Sequence, residues 1–480
     1  NEVKNCYFDL TSTSYTGNYY SSGILISGTN NGINNNYNGS YNLISSNTFD
    51  GGYYGMLLTG YNTIGLGNIT NVIEGNKFID QYRYGIYNRY SDLNVIRGNE
   101  FSRPTRSANN YYGIYSNYSK GFEISANVFM GMDFSSNTTD QYLIYNNNCD
   151  ATSADPNRIF NNVVYDVISG DVLYFIYDYY GQYQEVYNNT VFYKNTTTTS
   201  QAIYGIYNRY NYYTNYKNNN FYFDVETNSQ VFGFYLYSNS SNILSDNNNI
   251  YIKDATNKGN QYFGYASGYR KSLSDFQLYY SRETNGFESD PLFVSDSTLI
   301  PQNVALNNTG DSTVNITYDV LGVQRGNKPD VGAYEFTPTN YDLALTQINL
   351  PDSGCGLNVA NISGTVENFG VNTYSSFTAS FKVGSAAVQT QIFTSAIASG
   401  SSFNFTFDSL AYFPTAGQTY NVDVWITATN DTKSSNDSIL NQQVKNISPI
   451  LLSTNDSLFE PVSSNSYPIY GNFANGWIGN

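Results

Sequence analysis

Between residues 20 and 270, apolar and polar positions alternate in short bursts rather than in helical stripes. The clearest burst is a four-residue step that ends in an aromatic ring. It reads Tyr-Gly-Ile-Tyr at 84–87 and 112–115, Tyr-Leu-Ile-Tyr at 142–145 and Tyr-Phe-Ile-Tyr at 174–177. It continues as Tyr-Gly-Ile-Tyr at 204–207, Phe-Gly-Phe-Tyr at 232–235 and Tyr-Phe-Gly-Tyr at 262–265. The closing tyrosines, Tyr87, Tyr115, Tyr145, Tyr177, Tyr207, Tyr235 and Tyr265, are spaced by 28, 30, 32, 30, 28 and 30 residues. A fixed period of this size marks a stack of similar units, each resting on its neighbours. Two earlier units, Ser-Gly-Ile-Leu-Ile (22–26) and Tyr-Gly-Met-Leu-Leu (54–58), hold Leu25 and Leu57 in the tyrosine slot, so about nine units are expected.

A second series runs out of phase with the first. Asn-Leu-Ile-Ser-Ser-Asn-Thr-Phe (42–49) aligns with Asn-Val-Ile-Glu-Gly-Asn-Lys-Phe (71–78), Asn-Val-Ile-Arg-Gly-Asn-Glu-Phe (94–101) and Phe-Glu-Ile-Ser-Ala-Asn-Val-Phe (122–129). Looser echoes sit at Asn189–Phe192, Asn220–Phe223 and Asn249–Ile252. Each unit thus carries several short period-two segments broken by Gly, Asn and Ser. Tyr, Asn, Thr, Ser and Gly are poor helix formers, whereas Tyr, Phe, Ile, Val and Thr favour strands. The pattern predicts an all-β chain: a right-handed parallel β-helix over residues 1–270, because parallel crossovers are overwhelmingly right-handed. Nine coils at about 4.8 Å each would make it about 43 Å long.

The aligned columns carry their own expectations. Ile44, Ile73, Ile96 and Ile124 should point inward, with Phe49, Phe78, Phe101 and Phe129. Asn47, Asn76, Asn99 and Asn127 fall at the turn between them, where stacked amides can bond one another from coil to coil. Outward, Glu74 should lie over Arg97 and Lys77 over Glu100. Opposite charges in register attract by about 0.2–1 kcal/mol each. If Ile86 and its equivalents point inward, Tyr87 and its equivalents face outward. Tyr84, Tyr112, Tyr142, Tyr174, Tyr204 and Tyr262, three positions earlier, should face the opposite way or lie at a corner.

After residue 270 the period is lost. Asp290-Pro-Leu-Phe-Val and Pro329-Asp-Val-Gly-Ala-Tyr-Glu-Phe336 resemble the closing segments of right-handed β-helix proteins of the Bacteroidota. That resemblance covers about residues 20–337 and implies that 271–337 supply terminal coils and a cap. A cap has a physical purpose, since an open last coil exposes unpaired strand edges. Residues 341–447 alternate as a β-sandwich would, with the clearest strands at Asp342–Leu350, Asn361–Asn368, Ser376–Val383, Ser402–Phe407 and Tyr420–Ala428. Tyr341-Asp-Leu-Ala-Leu, Gly364-Thr-Val-Glu-Asn-Phe-Gly370 and Thr419-Tyr-Asn-Val-Asp-Val-Trp425 resemble the Ig-like adhesion modules of secreted proteins of that phylum. Residues 448–480, with Leu458-Phe-Glu-Pro461 and Asn475-Gly-Trp477, resemble the start of a further, incomplete module. The chain begins at Asn1 without a signal-peptide pattern, so a processed chain or a piece of a longer one is expected.

Composition narrows the chemistry. A net charge of −16 argues against a nucleic-acid partner, and no apolar run is long enough for membrane insertion. There is no histidine, which excludes Ser-His-Asp and Cys-His machinery and any His-ligated metal. Cys6, Cys149 and Cys355 are odd in number and far apart, giving neither a disulfide framework nor a metal cluster. An acidic, Asn-rich surface suits Ca²⁺, but no Asp-x-Asp-x-Asp loop is present, so no metal and no cofactor are expected.

Glu74, Glu100 and Glu123 are the nearest candidates for the carboxylate pair of a glycosidase. Two of them have cationic partners in the stack, so surface ion pairing is the favoured reading and no catalytic residue is assigned. Arg83, Arg89, Arg97, Arg103 and Arg106 fall on two coils. They read either as a solvated face or as a patch for an anionic glycan. The tyrosine column reads either as coil-to-coil support or as a sugar-binding surface, since long exposed aromatic stripes rarely lack a use. The candidate ligand-binding residues are therefore the seven closing tyrosines with Arg89 and Arg97. Asp-Ser followed by Thr or an apolar residue is the O-glycosylation pattern of the same phylum, and marks Ser297, Ser312, Ser409, Ser438 and Ser457.

The expected function is a non-enzymatic, adhesin-like protein, secreted or on the outer surface of a Gram-negative bacterium. The resemblance implies a cargo of type IX secretion, with a glycan or cell-surface ligand and secretion or surface-anchoring components as partners. The alternatives are a polysaccharide lyase using the arginine-rich coils and a passive structural rod.

Overall fold

A computed structural model describes residues 1–11, 21–27, 39–60, 68–106, 110–195, 202–225, 229–237, 242–253, 259–280 and 282–448. The chain divides into two compact units, Asn1–Thr337 and Pro338–Asn480. The first is a parallel β-solenoid whose strands form three long sheets, with a short parallel pairing of Asn68–Ile69 and Ser91–Asp92 beside them. The isoleucine sheet has 9 strands, from Glu2–Lys4 to Ile243–Asp246. The phenylalanine sheet runs from Tyr7–Leu10 to Asn249–Ile252 and the tyrosine sheet from Ser22–Ile26 to Gln261–Ala266, each with 10 strands. The tyrosine sheet's tenth strand, Tyr269–Arg270, folds back antiparallel.

Three apolar columns fill the interior. Ile44, Ile73, Ile96 and Ile124 are in register and buried. The rings of Phe8, Phe49, Phe78, Phe101 and Phe129 stack with centroids 4.7–5.0 Å apart. The tyrosine sheet contributes Met56, Ile86, Ile114, Ile144, Ile176 and Ile206. Outside, Arg97 meets Glu74 at 2.8 Å and Lys77 meets Glu100 at 3.2 Å, as the register requires.

An amide ladder turns the corner between the isoleucine and phenylalanine sheets. Its rungs are Asn47, Asn76, Asn99, Asn127, Asn162, Asn189, Asn219 and Asn248. Each Nδ2 donates to the Oδ1 of the next rung at 2.8–3.0 Å, and the same Oδ1 accepts the backbone N–H of the rung before it. From Asn47 onward the second Nδ2 hydrogen goes to a backbone carbonyl of the preceding coil. An interior rung therefore satisfies all its polar atoms without water, as burial demands. The echoes expected from Asn220 and Asn249 sit one residue late, because runs of three asparagines left the register ambiguous. A second ladder, Asn42–Asn71–Asn94, was not expected.

The main ladder ends on Glu283. Its fully buried carboxyl accepts from the Asn248 N–H and Nδ2 and from the Ser245 hydroxyl. Burial pushes its pKa from 4.5 up to about 8, opposed by those donors. Folding thus favours the protonated form. The stabilisation is fully present below the ordinary carboxylate pKa and is lost as pH rises through about 8. Solenoid stability, followed by chemical denaturation, should therefore fall between about pH 5 and 8, and Glu283→Gln should flatten that slope. An unchanged slope in the variant would assign the pH dependence to other groups.

Among the described residues, 271–337 extend the solenoid by part of a turn, where the Glu283 N–H donates to the Ser245 carbonyl and Phe287 bridges Asn249 in parallel, rather than by a further strand on each sheet. The helix Leu273–Tyr280 places Phe276 against Phe234 and Phe263 at the open end. The following segment then runs back along the ladder corner. That corner holds left-handed residues: Ser46, Gly75, Gly98 and Ala126, then Asn161, Asn188, Asn218 and Asn247. The four asparagines donate their amides to strap carbonyls of Tyr318, Asp330 and Gly332, Asp311, and Thr309. Ion pairs Lys217–Asp311 (2.7 Å) and Lys194–Asp296 (3.2 Å) add to the seam. The Pro329–Phe336 motif is its anchor. Asp330 accepts the N–H groups of Asn308 and Phe336, and the Ala333 N–H donates to the Thr190 hydroxyl. Gly332 takes φ 103° where a Cβ would strike Thr190 and Asn220.

The second unit is a two-layer antiparallel sandwich. A 3-stranded sheet (Leu343–Asn349, Ser363–Asn368, Ser402–Thr406) shares a core with a 5-stranded sheet centred on Tyr374–Val383 and Thr419–Thr427. The strands Gln389–Ile397 and Ser438–Ile447, which were not among the clearest in the sequence, and the short Gly354–Cys355, which pairs parallel to Ser438–Ile447, complete it. The expected module at 448–480 falls almost entirely outside the described residues.

Candidate functional site

The tyrosine sheet carries two aromatic files on one face. The expected file, Tyr87, Tyr115, Tyr145, Tyr177, Tyr207, Tyr235 and Tyr265, is in register from coil to coil. A second file of Tyr54, Tyr84, Tyr112, Tyr142, Tyr174, Tyr204, Phe232 and Tyr262 stands beside it rather than facing the opposite way. Tyr84 and Tyr87 rings lie 5.1 Å apart. The period of two fails because Gly85 and Ile86 are both buried, so three positions separate successive outward residues. Gly85 turns inward because its missing side chain leaves room for the Phe101 ring, 2.7 Å from where a Cβ would sit.

Rings within each file stack 4.5–5.2 Å apart, mostly near-parallel, so much of each ring face is covered by the next coil. Tyr54, Tyr177 and Phe232 are buried, and what the remaining half-buried rings offer outward is their edges. Burial raises the phenol pKa of Tyr84, Tyr87, Tyr115 and Tyr142, and pushes Tyr207 and Tyr235 up to about 12. The phenols therefore remain neutral at any physiological pH. The Asn117 and Asn147 amides donate to the hydroxyls of Tyr87 and Tyr115, and Tyr142 donates to Asp140 at 3.0 Å.

The arginines do not converge on this face. Arg89 ends the strand Tyr84–Arg89 and lies 4.7 Å from the Tyr90 ring, beside the files. Arg97 belongs to the isoleucine sheet and is paired with Glu74. Arg103 is buried, 5.0 Å from the Tyr111 ring, and donates to the Tyr82 carbonyl. Arg83 lies over Tyr84 and Tyr112, and Arg106 over Tyr82. Glu123 accepts from Ser125 at 2.6 Å. Ser297, Ser312, Ser409 and Ser438 are exposed, and Ser457 lies outside the described residues.

A feature the sequence reading missed is a groove of about 440 Å³ on the isoleucine sheet, where Tyr183 and Tyr213 meet Glu185, Asn215 and Asn242. Glu185 is held by Arg158 at 3.4 Å. The signal was present as the spacing of 30 between Tyr183 and Tyr213, hidden among so many other tyrosines.

No family model and no curated protein matches this chain. Two solved structures are similar over part of it. One is the CARDB domain of a Pyrococcus furiosus protein in complex with di-metal ions, with 17% identity over 24% of this chain and 95% of that one, at a TM-score of 0.20. The other is a cell-surface protein domain from Methanosarcina acetivorans, with 25% identity over 22% of this chain and 92% of that one, at a TM-score of 0.18. Among the described residues no helix is long and apolar enough to cross a membrane.

Proposed function

We propose that this chain is a non-catalytic recognition element of an exported or cell-surface protein, and that its tyrosine sheet meets a linear, repetitive glycan. The observation that supports this is the double aromatic file, which repeats an edge and hydroxyl pattern over most of the coils from Tyr84 to Tyr265. A ligand with its own regular repeat can engage many coils at once, gaining affinity from multiplicity rather than from one pocket. Recognition runs through ring edges, phenol hydroxyls and the flanking Arg89, Asn117, Asn147 and Asp140. Stacked ring faces are not free to hold sugars flat. The closing motifs, by their resemblance, suggest type IX export, with surface-anchoring components as partners and O-glycosylation at the exposed Asp-Ser sites. A non-catalytic role is favoured because Glu74 and Glu100 are paired, and Arg89 and Arg97 stand on different sheets.

The test is binding of wild type to polysaccharides of graded length. Affinity should rise with length. Tyr115→Phe/Tyr145→Phe, which keeps the stack and removes two hydroxyls, should weaken it about tenfold. Failure to bind across a broad glycan array would favour a passive rod. Release of unsaturated sugars from an acidic polysaccharide would favour the lyase.

A further inference from the structure

Tyrosines at the corners of the solenoid stand in pairs one coil apart. Tyr180 and Tyr210 adopt left-handed backbone with φ of 50° and 62°, and Tyr183 and Tyr213 do so with 53° and 54°. That conformation is uncommon for a bulky residue and costs of order 1 kcal/mol each. It marks the turns at which the chain leaves one strand for the next. Because neighbouring coils are in register, the rings of each pair fall over one another. Tyr180 and Tyr210 have centroids 4.7 Å apart, and Tyr183 and Tyr213 are 4.9 Å apart with planes within 8°. Unlike the half-buried files, these stacks reach solvent: Tyr180 is 45% exposed and Tyr213 46%. Arg209 stands beside the first pair, its guanidinium carbon 5.2 Å from the Tyr210 ring. Its hydrogen bond lowers the pKa of the Tyr210 phenol, which eases loss of the proton. The cysteines offer no competing covalent tie between coils, since no disulfide joins Cys6, Cys149 or Cys355.

We propose that Tyr180–Tyr210 and Tyr183–Tyr213 are sites of oxidative coupling, joined as dityrosine by a one-electron oxidant of the haem-peroxidase class acting with hydrogen peroxide. Each phenol gives up one electron and one proton, leaving phenoxyl radicals on adjacent coils. The two radicals combine through the ring carbons ortho to the oxygens, forming one carbon–carbon bond. Each of those carbons then loses its hydrogen as a proton while each oxygen regains one, and both rings become aromatic again. The two electrons and two protons removed overall reduce one peroxide to two waters. The product is a covalent staple between coils. Exposure lets the rings tip from stacked to bonded geometry, which the packed files cannot do.

The experiment treats the full chain, at high dilution, with a haem peroxidase and hydrogen peroxide, and digests the monomer with trypsin. Cleavage after Arg158, Lys194, Arg209 and Lys217 leaves Tyr180 and Tyr183 in the peptide 159–194, and Tyr210 and Tyr213 in 210–217. The expected result is a fluorescent species with the summed mass of both peptides less two hydrogens. Tyr210→Phe/Tyr213→Phe keeps both rings and the fold but cannot couple, so the joined species should vanish at unchanged thermal stability. Its persistence in that variant, its absence from wild type, or coupling confined to concentration-dependent dimers would each overturn the proposal.

Discussion

Asn127→Ala is expected to destabilise the solenoid by about 3–5 kcal/mol. The loss comes from four hydrogen bonds at one buried point. Asn127 accepts from the backbone N–H and the Nδ2 of Asn99, and donates to the Oδ1 of Asn162 and the carbonyl of Ile96. Alanine takes the partner from two Asn99 donor hydrogens and from the Ile96 carbonyl, while the Asn162 Oδ1 keeps the backbone N–H of position 127, and each orphaned buried group carries a desolvation cost of about 1–3 kcal/mol. Some relaxation and water entry keep the total below the sum. Denaturant unfolding would measure the effect. A loss under about 1 kcal/mol would mean that the ladder decorates the corner rather than holding it.

Gly113→Leu should cost about 3 kcal/mol by overpacking. A Cβ there would lie 2.6 Å from the Leu143 carbonyl oxygen and 2.6 Å from the Phe129 ring. The protein itself shows how such a change is accommodated. One coil on, the glycine becomes Leu143 and the phenylalanine becomes Val164. The next coil carries Phe175 with Val191, and the one after returns to Gly205 with Phe221. Large and small residues therefore trade places across the core so that each coil encloses a similar volume, as close packing requires. Phe129→Val alone should cost about 2 kcal/mol through its cavity. Combined with Gly113→Leu it should recover much of the loss, giving a coupling of about 2 kcal/mol in a double-mutant cycle. Simple additivity would refute volume exchange.

Much of this architecture is legible in the chain. A period near thirty is a statement about neighbours, because in a parallel coil residues one period apart must touch. That is why Glu74 could be assigned to Arg97, and the Asn47 and Phe49 columns to their stacks, from letters alone. The site was legible only in part. Tyr87 and its equivalents could be placed outward, but Tyr84 could not be placed beside them. A two-residue alternation holds only while each strand stays regular, and Gly85 breaks it in response to Phe101, a residue from the adjoining sheet. Arg97 and Arg89, eight positions apart, looked like neighbours in the sequence and lie on different sheets because a corner falls between them.

By itself, then, the sequence determined the repeat, the all-β character, the inward columns and the ladder, since each follows from period and side-chain chemistry within neighbouring coils. Only the tertiary structure decided the doubled tyrosine file, the exposed stacks at the corners and the course of residues 282–337. The strap shows why. Its partners Asn161, Asn188, Asn218 and Asn247 sit where earlier coils carry Ser46, Gly75, Gly98 and Ala126, and all of these satisfy the same left-handed turn. Asparagine is needed at the later four because a distant segment lays its carbonyls there, and no local pattern encodes the arrival of a chain more than sixty residues away.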